Sequence, residues 1–216
     1  MPFTRKSHKN QTLREEIANS ISHGIGLAGA IIAAPFLIFY SAANGDAWAV
    51  AGASVFITSA IILYLSSTLF HSQKVGKRKD IFQIVDHAAI FLLIAGTYTP
   101  FTLGILRETW GWILFGIVWG IAIAGIIMKL LVGARYPRLS TALYLLMGWL
   151  ILIVIKPLMA AMPLAGLLWI AAGGLAYTIG VIFYAIPNFR YAHFIWHIFV
   201  LAGTACHFVA VMFYSY

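Results

Sequence analysis

Charge is scarce in this chain: Asp, Glu, Lys and Arg make up 9% of its 216 residues, against 62% hydrophobic. A soluble domain carries roughly 25% charged residues, so the composition excludes one and leaves a membrane protein. Acidic residues are scarcer still, six against fourteen Lys and Arg. The resulting +8 does not mark a nucleic-acid surface, because the basic residues fall in short clusters between apolar runs and not along one face. Cysteine is nearly absent, with Cys206 alone in the last apolar run. One thiol closes no intramolecular disulfide and excludes a Cys-based zinc site, so Cys206 reads as packing. Arg5, Lys6, Lys9 and Arg14 precede the first apolar run, but no short apolar segment with a small-residue cleavage site does, so the first span is expected to stay as an anchor. No period of 20 to 50 residues repeats.

What is present is hydrophobic length. A hydrocarbon core of about 30 Å takes roughly 20 apolar residues per helix. Runs of that length predict an all-α bundle of seven transmembrane helices, at about residues 20–42, 47–70, 82–104, 110–132, 139–158, 163–185 and 192–214. Turn formers fill the gaps: Asn44-Gly45-Asp46, Gly76, Pro137, Pro163 and Pro187-Asn188. Pro35 and Pro100 lie inside spans, where they kink or end a helix, and Pro157 sits near the end of the fifth. With the N-terminus cytoplasmic, twelve Lys and Arg fall inside and only Arg107 and Lys156 outside, which puts the C-terminus outside. Thr12-Leu13-Arg14-Glu15 has the form of a capping box. It predicts a short interfacial helix closing a cytoplasmic arm, residues 1–19, ahead of a membrane domain, residues 20–216. Asn10-Gln11-Thr12 has the form of a glycosylation sequon, without meaning on a cytoplasmic arm.

An ionisable side chain inside a span is costly and marks a functional position. His71 closes the second span, Asp86 and His87 open the third, and His193 and His197 open the seventh; the topology puts all of these at the cytoplasmic side. His193 and His197 are four residues apart and share a helical face. Such a pair can simply bond to headgroups, water or a neighbouring helix. It can also grip one metal ion, and His71 would complete a three-histidine set of the kind that holds zinc with a fourth position open. Asp86 suits a supporting place beside that open position. His87 points about 100° away around the helix and ranks below His71 as a ligand. Glu16, Asn19 and His23 share a face of the first helix and either buttress the site or solvate a helix start. His207, about 15 Å beyond His197, is too far to share the metal and reads as an interhelical hydrogen bonder.

These residues together resemble the hemolysin III family, the bacterial branch of the progestin and adipoQ receptor superfamily. The similarity runs through Glu16 to Gly24, Ser67 to His71, Asp86 to Ile90, Leu93 to Pro100 and His193 to His197. It implies seven helices and a zinc ion near the inner leaflet, held by His71, His193 and His197, with Asp86 and Ser67 close to the water it binds. Ser67 is singled out by the resemblance alone, since Ser66 and Thr68 are similar neighbours. Receptor relatives carry Asp followed by Tyr where this chain has Asp86-His87, so hormone binding is not carried over.

The leading expectation is a zinc-dependent hydrolase of a lipid amide or ester, ceramidase-like, in the bacterial inner membrane, with Asp86 as base and Ser67 steadying the oxyanion or Asp86. The alternative is a membrane sensor or a lipid or energy homeostasis protein in which zinc is structural. A pore-forming hemolysin is disfavoured, because the spans carry no evident ion pathway. A retinal protein is excluded, because residues 192–214 contain no lysine. Membrane lipids are the expected partners, and no nucleic acid. Gly116, Gly120 and Gly173-Gly174 suit close helix contacts, within one bundle or in a homo-oligomer.

Overall fold

The computed structural model describes residues 11–186 and 189–216, so the basic arm before Gln11 and the Pro187-Asn188 turn lie outside the described residues. Among the described residues there is no strand. Eight α-helices follow one another: α1 (Leu13–Asn44), α2 (Ala47–Ser72), α3 (Lys77–Leu103), α4 (Trp112–Val132), α5 (Pro137–Gly148), α6 (Ile155–Ala161), α7 (Leu164–Ala185) and α8 (Ala192–Tyr214). They make seven spans long and apolar enough to cross a membrane, the fifth assembled from α5 and α6. The chain is therefore an all-α, multi-pass membrane protein.

The bundle is inside-out only in its surface. Ile31, Phe36, Phe39, Leu131 and Leu164 are all more than half exposed on outward faces, where a hydrocarbon solvent imposes no penalty. The α2 and α3 spans are the centre, 56% and 61% buried against 17% for α7. Small residues let them meet: a Cβ on Gly96 would fall 2.1 Å from the Ser59 hydroxyl. Neighbours pack in chain order from α1 to α4, α7 packs on α8, and α8 returns to α1. The start of α1, the end of α2 and the starts of α3 and α8 thus share one end of the bundle.

Local sequence features set where the helices begin, end and are interrupted. The capping box opens α1 itself: the Glu15 amide donates to Thr12 Oγ1 at 3.3 Å and the Thr12 amide to Glu15 Oε2 at 2.8 Å. The helix then continues unbroken for 32 residues through Pro35, so no break sets off a separate interfacial helix. The α3 helix ends one turn after Pro100, and a π-helical turn, Arg107–Gly111, leads into α4. The expected continuous fifth helix is interrupted, with a 3₁₀ segment, Leu150–Val154, between α5 and α6. Pro157 has no N–H to give the Ile153 carbonyl, which removes one α-helical bond at that segment. Tyr98 satisfies the break from α3. Its hydroxyl donates to the Met147 and Gly148 carbonyls at 2.8 and 2.9 Å and accepts from the Ile151 amide at 3.0 Å.

At the opposite end of the bundle, Asp46 caps α2. Its Oδ1 accepts from the Trp48 and Ala49 amides, and its Oδ2 takes the Arg107 guanidinium at 2.6 Å. That guanidinium, with the two amides, holds the Asp46 carboxyl below its ordinary value.

Candidate metal centre

Three imidazoles from two distant stretches of chain meet at the shared end. His71, from the last turn of α2, and His193 and His197, from the first turns of α8, each offer a nitrogen within 4.8 Å of the others. His71 Nε2 and His193 Nε2 are 3.2 Å apart. Ring centroids lie 5.0 Å apart for His71 with either partner and 4.6 Å apart for His193 with His197. His71 and His197 are buried.

Hydrogen bonds on the far side of two rings fix which nitrogen faces inward. His71 Nδ1 donates to Glu16 Oε2 at 2.8 Å, so Nε2 keeps its lone pair. His197 Nδ1 donates to the Asn19 carbonyl at 3.2 Å, with Ser22 Oγ at 3.1 Å beside it, leaving Nε2 free in the same way. A carboxylate or carbonyl behind a ligating imidazole is the usual support of a metal site. The donor set fits a zinc-sized ion: two nitrogens about 2.0 to 2.1 Å from one ion in tetrahedral array are roughly 3.3 Å apart, close to the 3.2 Å found for His71 and His193. The three histidines can therefore hold a metal ion.

The residues singled out in the first helix all reach this cluster. Glu16 joins His71 to Lys79, whose Nζ donates to Glu16 Oε1 at 2.7 Å and lies 4.9 Å above the Phe70 ring. Asn19 reaches His197 through its backbone, while its side chain accepts no bond at Oδ1 and donates to Gln11 Oε1 at 2.8 Å. His23 stacks on His197 with centroids 3.6 Å apart and planes 8° from parallel. Both His23 nitrogens are buried without a hydrogen-bond partner.

Three further participants carry no functional signature in the sequence. Lys79 sits among Lys77 and Arg78 and reads as a topology signal, yet it is 3% exposed. Ser22 lies inside the recognised stretch without an assigned role. Glu15 accepts the Tyr191 amide at 2.9 Å, tying the start of α1 to the residue before α8, and Tyr191 adopts the left-handed region at φ 59°. No sequence signal marks that last contact.

A cavity of about 110 Å³ begins at the cluster. His23, Ser67, Asp86, His87, His193 and His197 line one end, and Tyr98, Tyr177 and His207 the other. Between them the wall is largely aliphatic, with Leu63, Ile90, Leu93, Val181 and Val200. Asp86 is buried, and Ser67 lies close enough to act on its carboxyl, although the buried Ser67 hydroxyl completes no hydrogen bond. His71 is behind this wall and not on it. His87 is on the wall but outside the three-histidine group. His207 bonds between helices, its Nε2 donating to the Ile170 carbonyl of α7 at 3.1 Å. Gly116 and Gly120 contribute nothing to this packing, since a Cβ on either would meet no atom within 4 Å.

The sequence profile described as Haemolysin-III related matches residues 11–208. The chain is 49% identical over 203 residues to the Hemolysin-3 homolog of Bacillus subtilis (strain 168), covering 94% of this chain and 95% of that protein. It is 45% identical over 210 residues to Hemolysin-3 of Bacillus cereus, covering 97% and 96%. At 29% identity it also matches human Monocyte to macrophage differentiation factor, over 95% of this chain and 86% of that one.

Proposed function

This chain belongs to the haemolysin-III related family, within the progestin and adipoQ receptor superfamily, and we propose that it is a zinc-dependent hydrolase of a lipid amide or ester in the bacterial inner membrane. In this reading the N-terminus and the histidine cluster face the cytoplasm, and substrate enters from the inner leaflet. The observation that carries the reading is the junction of two features: three imidazoles suited to one ion, two of which line an apolar cavity, and in that cavity a buried carboxyl group and an unpartnered hydroxyl.

His71, His193 and His197 would hold zinc, which supplies the Lewis acidity to activate water and polarise a carbonyl. The chain's own groups do the rest. Glu16 and the Asn19 carbonyl hold two of the imidazoles in the tautomer that points Nε2 inward. Asp86 takes a proton from the attacking water and returns it to the leaving amine or alkoxide. Ser67 Oγ has a proton with no assigned acceptor, and it donates to Asp86 or to the oxygen on which charge develops. The aliphatic wall takes the acyl chain and keeps bulk water away.

One observation favours a second reading, in which zinc only staples α2 to α8 in a sensor or homeostasis protein: His71 is not on the cavity wall. The two readings part at Asp86→Asn. A hydrolase keeps its zinc and loses about 100-fold or more in turnover, whereas a structural site keeps zinc, fold and cellular phenotype alike. The direct test offers zinc-loaded purified protein the amide and ester lipids of the inner leaflet and assays free fatty acid. Release from none of them rejects the hydrolase.

A further inference from the structure

We propose that the end of the cavity remote from the three imidazoles is a second recognition site, which accepts a hydrogen bond from a hydroxyl group on the acyl chain of a bound lipid. This rests on the lipid-hydrolase reading of the same cavity and narrows its substrate class.

The inference comes from counting protons on two side chains. His207 lies ten residues beyond His197 on α8, about 15 Å along the helix, and both line the cavity. His207 Nε2 is 3.1 Å from the Ile170 carbonyl. A carbonyl only accepts, so the ring proton is on Nε2 and Nδ1 carries a lone pair. That Nδ1 is buried and has no partner. The ring cannot swing away toward α7, because it rests on Gly173, where a Cβ would fall 2.4 Å from it.

Tyr177, whose ring centroid is 5.5 Å from that of His207, also lines the cavity and is settled in the same way. Thr204 Oγ1 donates to the Val200 carbonyl at 3.0 Å. The 2.8 Å bond between Thr204 and the Tyr177 hydroxyl therefore has Tyr177 as its donor, and the Tyr177 oxygen keeps only lone pairs. The far end thus presents one unpartnered acceptor, His207 Nδ1, and no spare donor from either residue. A buried acceptor left alone costs roughly 1 to 3 kcal/mol, so a ligand bearing O–H is favoured there, whereas a ketone or carboxylate oxygen is not. With carbon–carbon bonds of about 1.52 Å at tetrahedral angles, the roughly 15 Å along α8 from His197 to His207 corresponds to roughly twelve extended chain carbons.

The test measures binding to the full-length protein, purified with its metal, for three probes: octadecanoic acid, the same acid with a mid-chain hydroxyl, and the same acid with a mid-chain ketone. We expect the hydroxy acid to bind about five- to tenfold more tightly than the other two. His207→Leu should abolish the preference while leaving the plain acid bound. Gly173→Ala, which displaces the ring without removing it, should weaken the preference. Equal affinity of the wild type for all three acids overturns the site while the acyl cavity stands, and so does a preference that survives both substitutions. No binding of any acid overturns the site and the acyl reading together. An intact hydroxyl preference in a protein that cleaves no lipid supports the site and rejects only the hydrolase.

Discussion

Replacing Glu16 by Gln tests whether a carboxylate outside the histidine triad sets its affinity for metal. Glu16 touches no ion in this arrangement. It accepts from His71 Nδ1 at 2.8 Å with one oxygen and from Lys79 Nζ at 2.7 Å with the other. The amide keeps the shape but loses the charge that raises the basicity of the imidazole, and it can present its NH₂ where an acceptor is needed. Removing the partner of a ligating histidine typically costs roughly 10- to 100-fold in affinity, or about 1.4 to 2.8 kcal/mol. The upper half of that range is expected here, because the His71 side chain is 1% and the Glu16 side chain 18% exposed, so water screens the pair little. Affinity would be read by competition with a chromophoric chelator, beside His71→Ala as the full loss. The substitution also strands Lys79, and the double variant Glu16→Gln with Lys79→Met removes that burden. If the loss comes from the histidine, the double variant stays weak. Unchanged affinity in Glu16→Gln, or full recovery in the double variant, refutes the argument.

Tyr98→Phe should destabilise the protein by about 1 to 3 kcal/mol, since it strips the acceptor of the Ile151 amide and the donor to two carbonyls at the break in the fifth span; an unchanged thermal midpoint, with unchanged hydrogen exchange at Ile151, would contradict it. Lys129 is 1% exposed in the last turn of α4 and has no hydrogen bond or ion pair among the described residues. Lys129→Met should therefore raise the unfolding free energy by about 1 kcal/mol or more, and a lower midpoint would rule that out. Asp46→Asn has a pH signature. Because Arg107 holds the Asp46 carboxyl below its ordinary value of about 3.8, its stabilisation is complete above that value and disappears as pH falls through the lower folded value. The gap between wild-type and variant midpoints should close as the solution is acidified below about pH 4, and a gap that widens would reverse the sign.

The spans were legible because a bilayer leaves a chain little choice: every backbone polar group must be satisfied within the segment, so each run of about 20 apolar residues becomes helix. The break in the fifth span was not legible for the same reason, since composition reports burial in lipid and not the hydrogen-bond pattern inside. Its local sign, Pro157, sits near the end of the fifth span, and the side chain that makes the interruption tolerable, Tyr98, comes from another helix altogether.

The candidate site divides along a similar line. His71, His193, His197 and Asp86 stand out because an ionisable group amid apolar residues is costly unless something compensates it. Lys79 does not stand out, because at a helix start a basic residue that sets topology and one that completes an ion pair have the same sequence appearance; only burial separates them. The cavity is harder still. It lies among α3, α5, α7 and α8, and none of its aliphatic lining residues differs in type from those in the packed core. What a sequence can reveal of such a cavity is its few polar points. His207 was one, and its interhelical bond could be anticipated, but the vacancy at its second nitrogen depends on which atom the Ile170 carbonyl engages. Chemistry that resides in a residue type is therefore readable before the fold is known, and chemistry that resides in the assignment of a proton becomes readable only after it.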